Sequence, residues 1–479
     1  MKKRIISLFC CLSIVFSLAG CGAKKTSSDA DTNTGDAGGF MNFGAGTADN
    51  TSLETGTTSD GNVTVKVETP DAPTKNNSVL ANKNYGGKKY TILYYYTPDT
   101  LRNRTIEAFN KKHNANVTME ITNKDPNVAM AEAIASGKPY DIVANHADFF
   151  PQSIFQGIYE PLEGYISKED MFDSDNPENG GLNTSVNDRF AFNGHYYALG
   201  SAKSVYQYCM YYNKKMFKES GLEDPWELYK KGEWTWEKII EMHNKVTDFN
   251  SETYFISPSI LNRFMTANAV DGIIFKNGTY TENMSSAKFI EAAQLYRDFF
   301  HGENPLCPVT IEGDAFADGR FYLTWYTIDA YRTYRNGAKL SSAFDRNGDN
   351  LGVVPFAYFP LNKDKKYPAE AAMGYSATAG CKDPSVAACY ALFESRYTDN
   401  SNAKDAFPTE VLKEIQFQFA KNGFIGHHGF KNSEGDGYDW VLDFYMGPKI
   451  REGADVVQTI NDFRPKIQSG ILYSVQSKK

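Results

Sequence analysis

The sequence predicts an α/β protein with mainly parallel sheets flanked by helices, in which a long folded body divides into two lobes. Three observations lead there. Tyr90 to Ala144 reads strand, helix, strand, helix, strand, the order that builds a parallel sheet covered by helices. The body beyond residue 87, roughly 390 residues, is larger than one hydrophobic core normally supports. Farther on, amphipathic helical stretches alternate with short apolar runs and no internal repeat is found.

Taken in order, residues 1–20 read as an export signal. Lys2, Lys3 and Arg4 precede an apolar run from Ile5 to Leu18 that is too short to span a bilayer comfortably. The run ends in Leu18-Ala19-Gly20-Cys21, which resembles the bacterial lipobox. That resemblance implies cleavage before Cys21, a diacylglycerol on its thiol and a fatty acid such as palmitate on the new amine; an ordinary signal peptide with an incidental Cys is the alternative. More than one acyl chain gives stable membrane attachment, which would place the protein on the outer face of the bacterial cell membrane.

Residues 21–87 are rich in Gly, Ser, Thr, Asn and Asp and poor in aromatics. Such a segment cannot bury enough apolar area to offset its ordering entropy, so it reads as a tether reaching roughly 40 to 50 Å by random-coil scaling. Within it, Val63-Thr64-Val65-Lys66-Val67 alternates as a strand does, but the flanking Gly, Asn and Pro make a transient extended segment at least as good a reading.

In the body, Tyr90 to Tyr96 is a β-branched and aromatic run, and Thr97-Pro98-Asp99 supplies a helix start. Leu101, Thr105, Ala108 and Phe109 then share a helical face, and Val117, Met119 and Ile121 alternate as a strand. A second helix over 127–136 and a strand over 141–144 complete the unit, whose ligands would bind beyond the carboxyl ends of the strands. Later helices start at Thr235, run through Phe289, Ala293, Tyr296 and Phe300, and open at Asp383-Pro384.

The formal charge of −8, with no Lys/Arg cluster in the body, argues against a nucleic-acid partner. Cys209, Cys307, Cys381 and Cys389 are too widely spaced for a zinc motif, and free thiols are the default. No Gly-x-Ser-x-Gly, His-Glu-x-x-His, P-loop or Gly-x-Gly-x-x-Gly element occurs in the body, so neither catalytic residues nor a cofactor are expected. His427-His428 reads as a solvated pair rather than a metal site. Asp345 to Asp349 mimics a calcium loop, but Asn350 stands where Gly is needed and Phe356 where the bidentate Glu belongs.

A succession of segments resembles the family 1 extracellular solute-binding proteins, whose best-known members bind maltose and other oligosaccharides. Gly194-His195-Tyr196-Tyr197-Ala198-Leu199-Gly200 is similar to the family's Gly-x-x-Tyr-Ala-Leu-Pro, and Tyr211-Tyr212-Asn213-Lys214-Lys215-Met216-Phe217 to its Tyr-Tyr-Asn-Lys-x-x-Phe. Gly221-Leu222, Trp234-Thr235-Trp236-Glu237, Phe316-Ala317-Asp318-Gly319-Arg320 and Gly352-Val353-Val354-Pro355-Phe356 follow in the family's order. Gly200 departs from the usual proline. The resemblance covers residues 88–479. It implies a two-lobed clamp of the periplasmic-binding-protein type with several hinge crossings, the first lobe made of 88–190 and 373–422 and the second of 191–372 and 423–479. Hinges would fall near 188–195, 370–376 and 420–426.

Sugars present apolar ring faces and hydroxyl rims, so their sites pair flat aromatics with polar side chains. By position, the ligand candidates are Tyr95, Tyr96, His146 and Asp148 at strand ends of the first lobe, and Tyr206 after the Tyr-Ala-Leu segment. Trp325 and Tyr326, ending the strand after Gly319-Arg320, and Tyr438, Asp439 and Trp440 in a Gly-rich polar stretch complete the set. Trp234 and Trp236 read as packing at a helix start. The resulting expectation is a lipoprotein that binds a solute, a sugar or oligosaccharide, and passes it to the permease subunits of an ABC importer. A surface glycan-binding or sensor protein without transport, or a glycoside hydrolase with two positioned carboxyls, are the alternatives.

Overall fold

The computed structural model describes residues 54–57, 63–66, 80–95, 100–124, 126–155, 157–172, 181–192, 194–276, 279–309, 316–331, 350–397, 407–426, 429–431 and 437–476. The export signal, Cys21, Tyr96, Thr97-Pro98-Asp99, Asp345 to Asp349 and His427-His428 lie outside these residues.

Two short strands, β1 (Glu54–Thr57) and β2 (Val63–Lys66), stand ahead of the body. The first lobe opens with β3 (Lys89–Tyr94), α1 (Thr100–His113), β4 (Asn116–Ile121), α2 (Pro126–Ala135) and β5 (Ile142–His146). β3 lies parallel between β4 and β5, with Tyr90 opposite Val117 and Ile92 opposite Ile142. Ile92 and Leu93 are both buried, as in a strand covered on both faces. Alternation sorts them: Tyr90, Ile92 and Tyr94 join the cluster of Phe109 from α1, and Leu93 joins that of Met130 and Val143.

Three two-residue strands, β6 (Tyr159–Glu160), β7 (Ala191–Phe192) and β8 (His195–Tyr196), lead to β9 (Val205–Asn213). The second lobe continues with α3 (Trp236–Val246), β10 (Tyr254–Ile256), α4 (Leu261–Ala267), β11 (Ile273–Lys276), β12 (Thr279–Glu282), α5 (Ala287–His301), β13 (Phe321–Thr327) and β14 (Leu351–Pro355). Thr235 caps α3 by accepting a hydrogen bond from the Lys238 amide. α5 buries Phe289, Ala293, Tyr296 and Phe300 and stops before Gly302. β13 is parallel to β10 and antiparallel to β9.

β15 (Tyr367–Thr378) joins the two lobes. Ala369 and Ala372 pair with Gln207 and Val205 of β9, and Met373 to Ala377 then pair with His146 to Ile142 of β5. One strand therefore belongs to both sheets, with a register irregularity between 369 and 372 at the crossing. The chain closes with α6 (Ser385–Arg396), α7 (Thr409–Asn422), β16 (Gly423–Ile425), a helical run from Tyr438 to Met446 whose Val441–Met446 part is π-helical, and α8 (Val456–Gln476).

Three features differ from the sequence reading or explain its anomalies. The ordered body starts before residue 88: Leu80 and Tyr85 are buried, and the Tyr85 amide donates to His113 O at 2.9 Å. Leu80 and Tyr85 join the cluster of Phe109, and Lys83 adds an ion pair with Asp383 at 3.1 Å. Val63–Lys66 is a strand, because a partner edge on β12 completes its hydrogen bonds, so the segment 21–87 is not a tether throughout. Gly200 replaces the family's proline at a close approach: an added Cβ would lie 2.5 Å from Met373 O, and the Gly200 amide donates to Asn187 Oδ1, a bond proline cannot make. Cys209, Cys307 and Cys389 are buried free thiols and Cys381 is a partly exposed one. Among the described residues, no helix is long and apolar enough to cross a membrane.

Candidate ligand-binding cleft

The crossing of β15 puts the carboxyl end of β5 beside the start of β9. His146, opposite Met373, brings its ring within 5.8 Å of Tyr206. Asp148 follows on the next turn, half-exposed, with Oδ2 3.0 Å from His146 Nδ1. Phe149 meets the partly exposed Tyr95 edge-on at 5.3 Å, and the Lys431 ammonium stands over the Phe149 ring at 5.7 Å. Tyr95, His146, Asp148 and Tyr206 thus form one patch along the line where the lobes meet.

A second patch is built on α4, β13 and the Tyr438–Met446 helix. The Arg263 guanidinium stacks 4.3 Å over Tyr326 and donates from Nη2 to Glu370 Oε1 at 2.8 Å. Burial works against charge on Arg263, but Glu370 outweighs it and holds the guanidinium protonated. Asp443 Oδ1 accepts from the Asn262 amide at 2.8 Å. Burial, reinforced by Asp439 nearby, pushes the Asp443 carboxyl up to about 8. On a helix this wide, Asp439, Trp440, Asp443 and Phe444 occupy one side. Trp440 is 47% and Phe444 50% exposed, and their rings stack at 4.1 Å.

Arg189 is tied to the segment that carries the first patch. It is buried and donates to Ala147 O at 3.0 Å and Gly426 O at 2.8 Å, and burial lowers its guanidinium pKa against the opposing pull of Tyr280, Asp271, Asp148 and Asp439.

Two candidates are structural instead. Trp325 is 2% exposed and enclosed by Tyr208, Phe356 and Phe359 at 5.8, 5.3 and 5.3 Å, so neither ring face is free. Strand parity decides this, because Tyr326, one residue on, turns to the opposite side and lies under Arg263. Tyr438 is also buried, and its hydroxyl accepts from the Gly272 amide at 2.6 Å; it pins the helix that carries Asp439 and Trp440. As expected, Trp234 is buried, with Nε1 donating to Pro355 O. The residues missed by sequence reasoning are Arg263, Glu370, Asp443 and Phe444. Arg263 and Glu370 carried a signal, each being a lone charge inside an apolar segment, where unpaired charges are rarely buried.

Two α/β lobes sharing one strand, with partly exposed aromatic and ionic side chains beside the crossing, are the architecture of the two-lobed binding proteins. The chain belongs to the family of bacterial extracellular solute-binding proteins, which it matches over residues 95–388. No curated protein matches it by sequence. Among solved structures, it is similar to the extracellular solute-binding protein of Staphylococcus aureus in complex with maltose (TM-score 0.59, 15% identity, 80% of this chain and 98% of that one). It is also similar to the galacto-N-biose/lacto-N-biose I-binding protein of an ABC transporter from Bifidobacterium longum (TM-score 0.55, 12% identity, 83% and 98%). A third is the ABC substrate-binding protein of Listeria monocytogenes in complex with cycloalternan (TM-score 0.52, 17% identity, 80% and 99%). At these identities the likeness speaks for the fold.

Proposed function

We propose that this protein is a lipid-anchored receptor on the outer face of the bacterial cell membrane, which captures a sugar between its lobes and delivers it to the permease of an ABC importer. The observation that carries this reading is the patch at the β15 crossing, where the His146 ring lies 5.8 Å from Tyr206 and the half-exposed Asp148 carboxylate lies 3.0 Å from His146 Nδ1. Carboxylates take up sugar hydroxyls, and rings cover their apolar faces. Solved structures of the same fold hold maltose and other saccharides, which supports the choice of ligand class. The ligand residues on this reading are Tyr95, His146, Asp148, Tyr206, Tyr326, Asp439 and Trp440, joined by Arg263, Glu370 and Asp443; Tyr96 follows Tyr95 in the chain and is retained from the sequence. Ligand contacts to both lobes stabilise the closed form, with bending confined to the crossings near 188–195, 370–376 and 420–426.

A thermal-shift screen against mono- and oligosaccharides tests the capture step, since a ligand of the native state raises Tm by mass action. A rise with some saccharides and unchanged sugar after prolonged incubation is expected. No shift with any sugar, or release of hydrolysis products, would refute the receptor. The anchor is tested separately: Cys21→Ser should lose fatty-acid labelling and membrane attachment while the body stays folded.

A further inference from the structure

The N-terminal extension does not run freely to the body. β2 pairs antiparallel with β12, Thr64 opposite Thr281, Val65 opposite Tyr280 and Lys66 opposite Thr279, and β1 pairs with the other edge of β2. β11 occupies the far edge of β12, giving a four-stranded sheet in the order β1, β2, β12, β11. The platform is packed into the second lobe. Tyr280 is 1% exposed and packs on Phe430 at 5.0 Å and Phe192 at 6.3 Å. Glu282, at the end of β12, has a fully buried carboxylate that accepts from Arg464 Nε of α8 at 2.5 Å, and α8 packs across both β2 and β12. Beyond this sheet the chain next enters the first lobe, where Leu80–Asn82 packs on α6 and the Tyr85 hydroxyl donates to Ser385 O at 3.2 Å.

We propose that β12 is a docking edge for the chain's own extension, so that the lobe held by the membrane linker is the second lobe and not the first, which follows the extension in sequence. Without β2, that edge of β12 would present unpaired amides and carbonyls to solvent. Strand addition satisfies them through the main chain and needs only β-branched residues such as those of Val63-Thr64-Val65. The extension then meets the folded body at β1 and β2. Closure on ligand swings the first lobe against a second lobe held at the membrane.

The docking is tested in the full mature chain with Thr64→Cys/Thr281→Cys. Opposed residues of an antiparallel pair have Cα atoms about 4.5 to 5.5 Å apart, within reach of a disulfide. An intrachain cross-link in most oxidised molecules is expected, and none in the control Thr64→Cys/Thr118→Cys, whose second position lies on β4. Free thiols in folded protein, or a cross-link between two chains, would overturn docking in cis. The held lobe is tested on the lipidated chain in vesicles of phosphatidylcholine and phosphatidylglycerol, on a Cys381→Ser background. Energy transfer from a headgroup dye is read at Val457→Cys on α8 and at Lys124→Cys in the first lobe. Thr64→Pro/Val65→Pro should cut transfer at position 457 about twofold by lengthening the linker and leave position 124 nearly unchanged. Equal responses at the two positions would overturn the assignment. This second arm rests on the lipid-anchor reading, whereas the cross-link does not, so the two can fail separately.

Discussion

Trp440 and Trp325 show how one residue type divides between two tasks. Trp440 is half-exposed and rests on Phe444, whereas Trp325 is enclosed by three aromatic rings. Trp440→Ala should therefore lower sugar affinity by about 1 to 3 kcal/mol, the worth of an aromatic stacking face, with little loss of stability. Trp325→Ala should cost about 3 to 5 kcal/mol of folding free energy. Calorimetric titration beside a urea melt reads both quantities, and a large folding loss in the Trp440 variant with affinity retained would reverse the assignment. Asp443 makes a second prediction at this scale. Its carboxyl titrates near 8 in the folded protein, above the ordinary 3.8, so its contribution to stability is full below the unfolded value and is lost as pH rises toward 8. Asp443→Asn, uncharged throughout, should gain on the wild type across that window by at most about 1.4 kcal/mol per pH unit, and the gain should level off above it. A difference that does not change with pH would mean that Asp443 stays ionised.

At the scale of elements, Gly200 is the sharpest case. Restoring the proline usual in the family should destabilise this chain by about 2 kcal/mol or more, because the Asn187 side chain loses its donor and the Met373 carbonyl is crowded. An unchanged urea midpoint for Gly200→Pro would show that the local packing yields. Elements specified by their own residues were legible in the sequence: the β3 to β5 unit through its alternation, α3 through the Thr235 cap, and α5 through its apolar stripe. What the sequence hid depends on distant partners. β2 becomes a strand because β12 offers an edge, and Leu80 and Tyr85 are ordered by α6 and His113. Tyr438 turns inward because Gly272, 166 positions away, presents an amide. The same limit applied to the site: strand ends and Gly-rich turns pointed to Tyr95, His146, Asp148, Tyr206, Asp439 and Trp440. Which of Trp325 and Tyr326 lies inward follows from strand parity that local composition does not fix.

For the molecule as a whole, the decisive feature is β15, which pairs with β9 and then with β5. One strand serves both sheets, and on the clamp reading proposed above the lobes rotate about Ala372 and Met373. Rotation there changes the gap between His146 and Tyr206, which flank the crossing. A sugar bridging Asp148 and Asp439 would hold the two lobes together, and the closed form would be the one a permease recognises. The most direct test is small-angle X-ray scattering on the full mature chain, titrated to saturation with the saccharide that gives the largest thermal shift. A clamp that closes on sugar gives a smaller radius of gyration at saturation, with the fractional change following the binding isotherm, and an unchanged scattering profile with sugar bound would rule the clamp out.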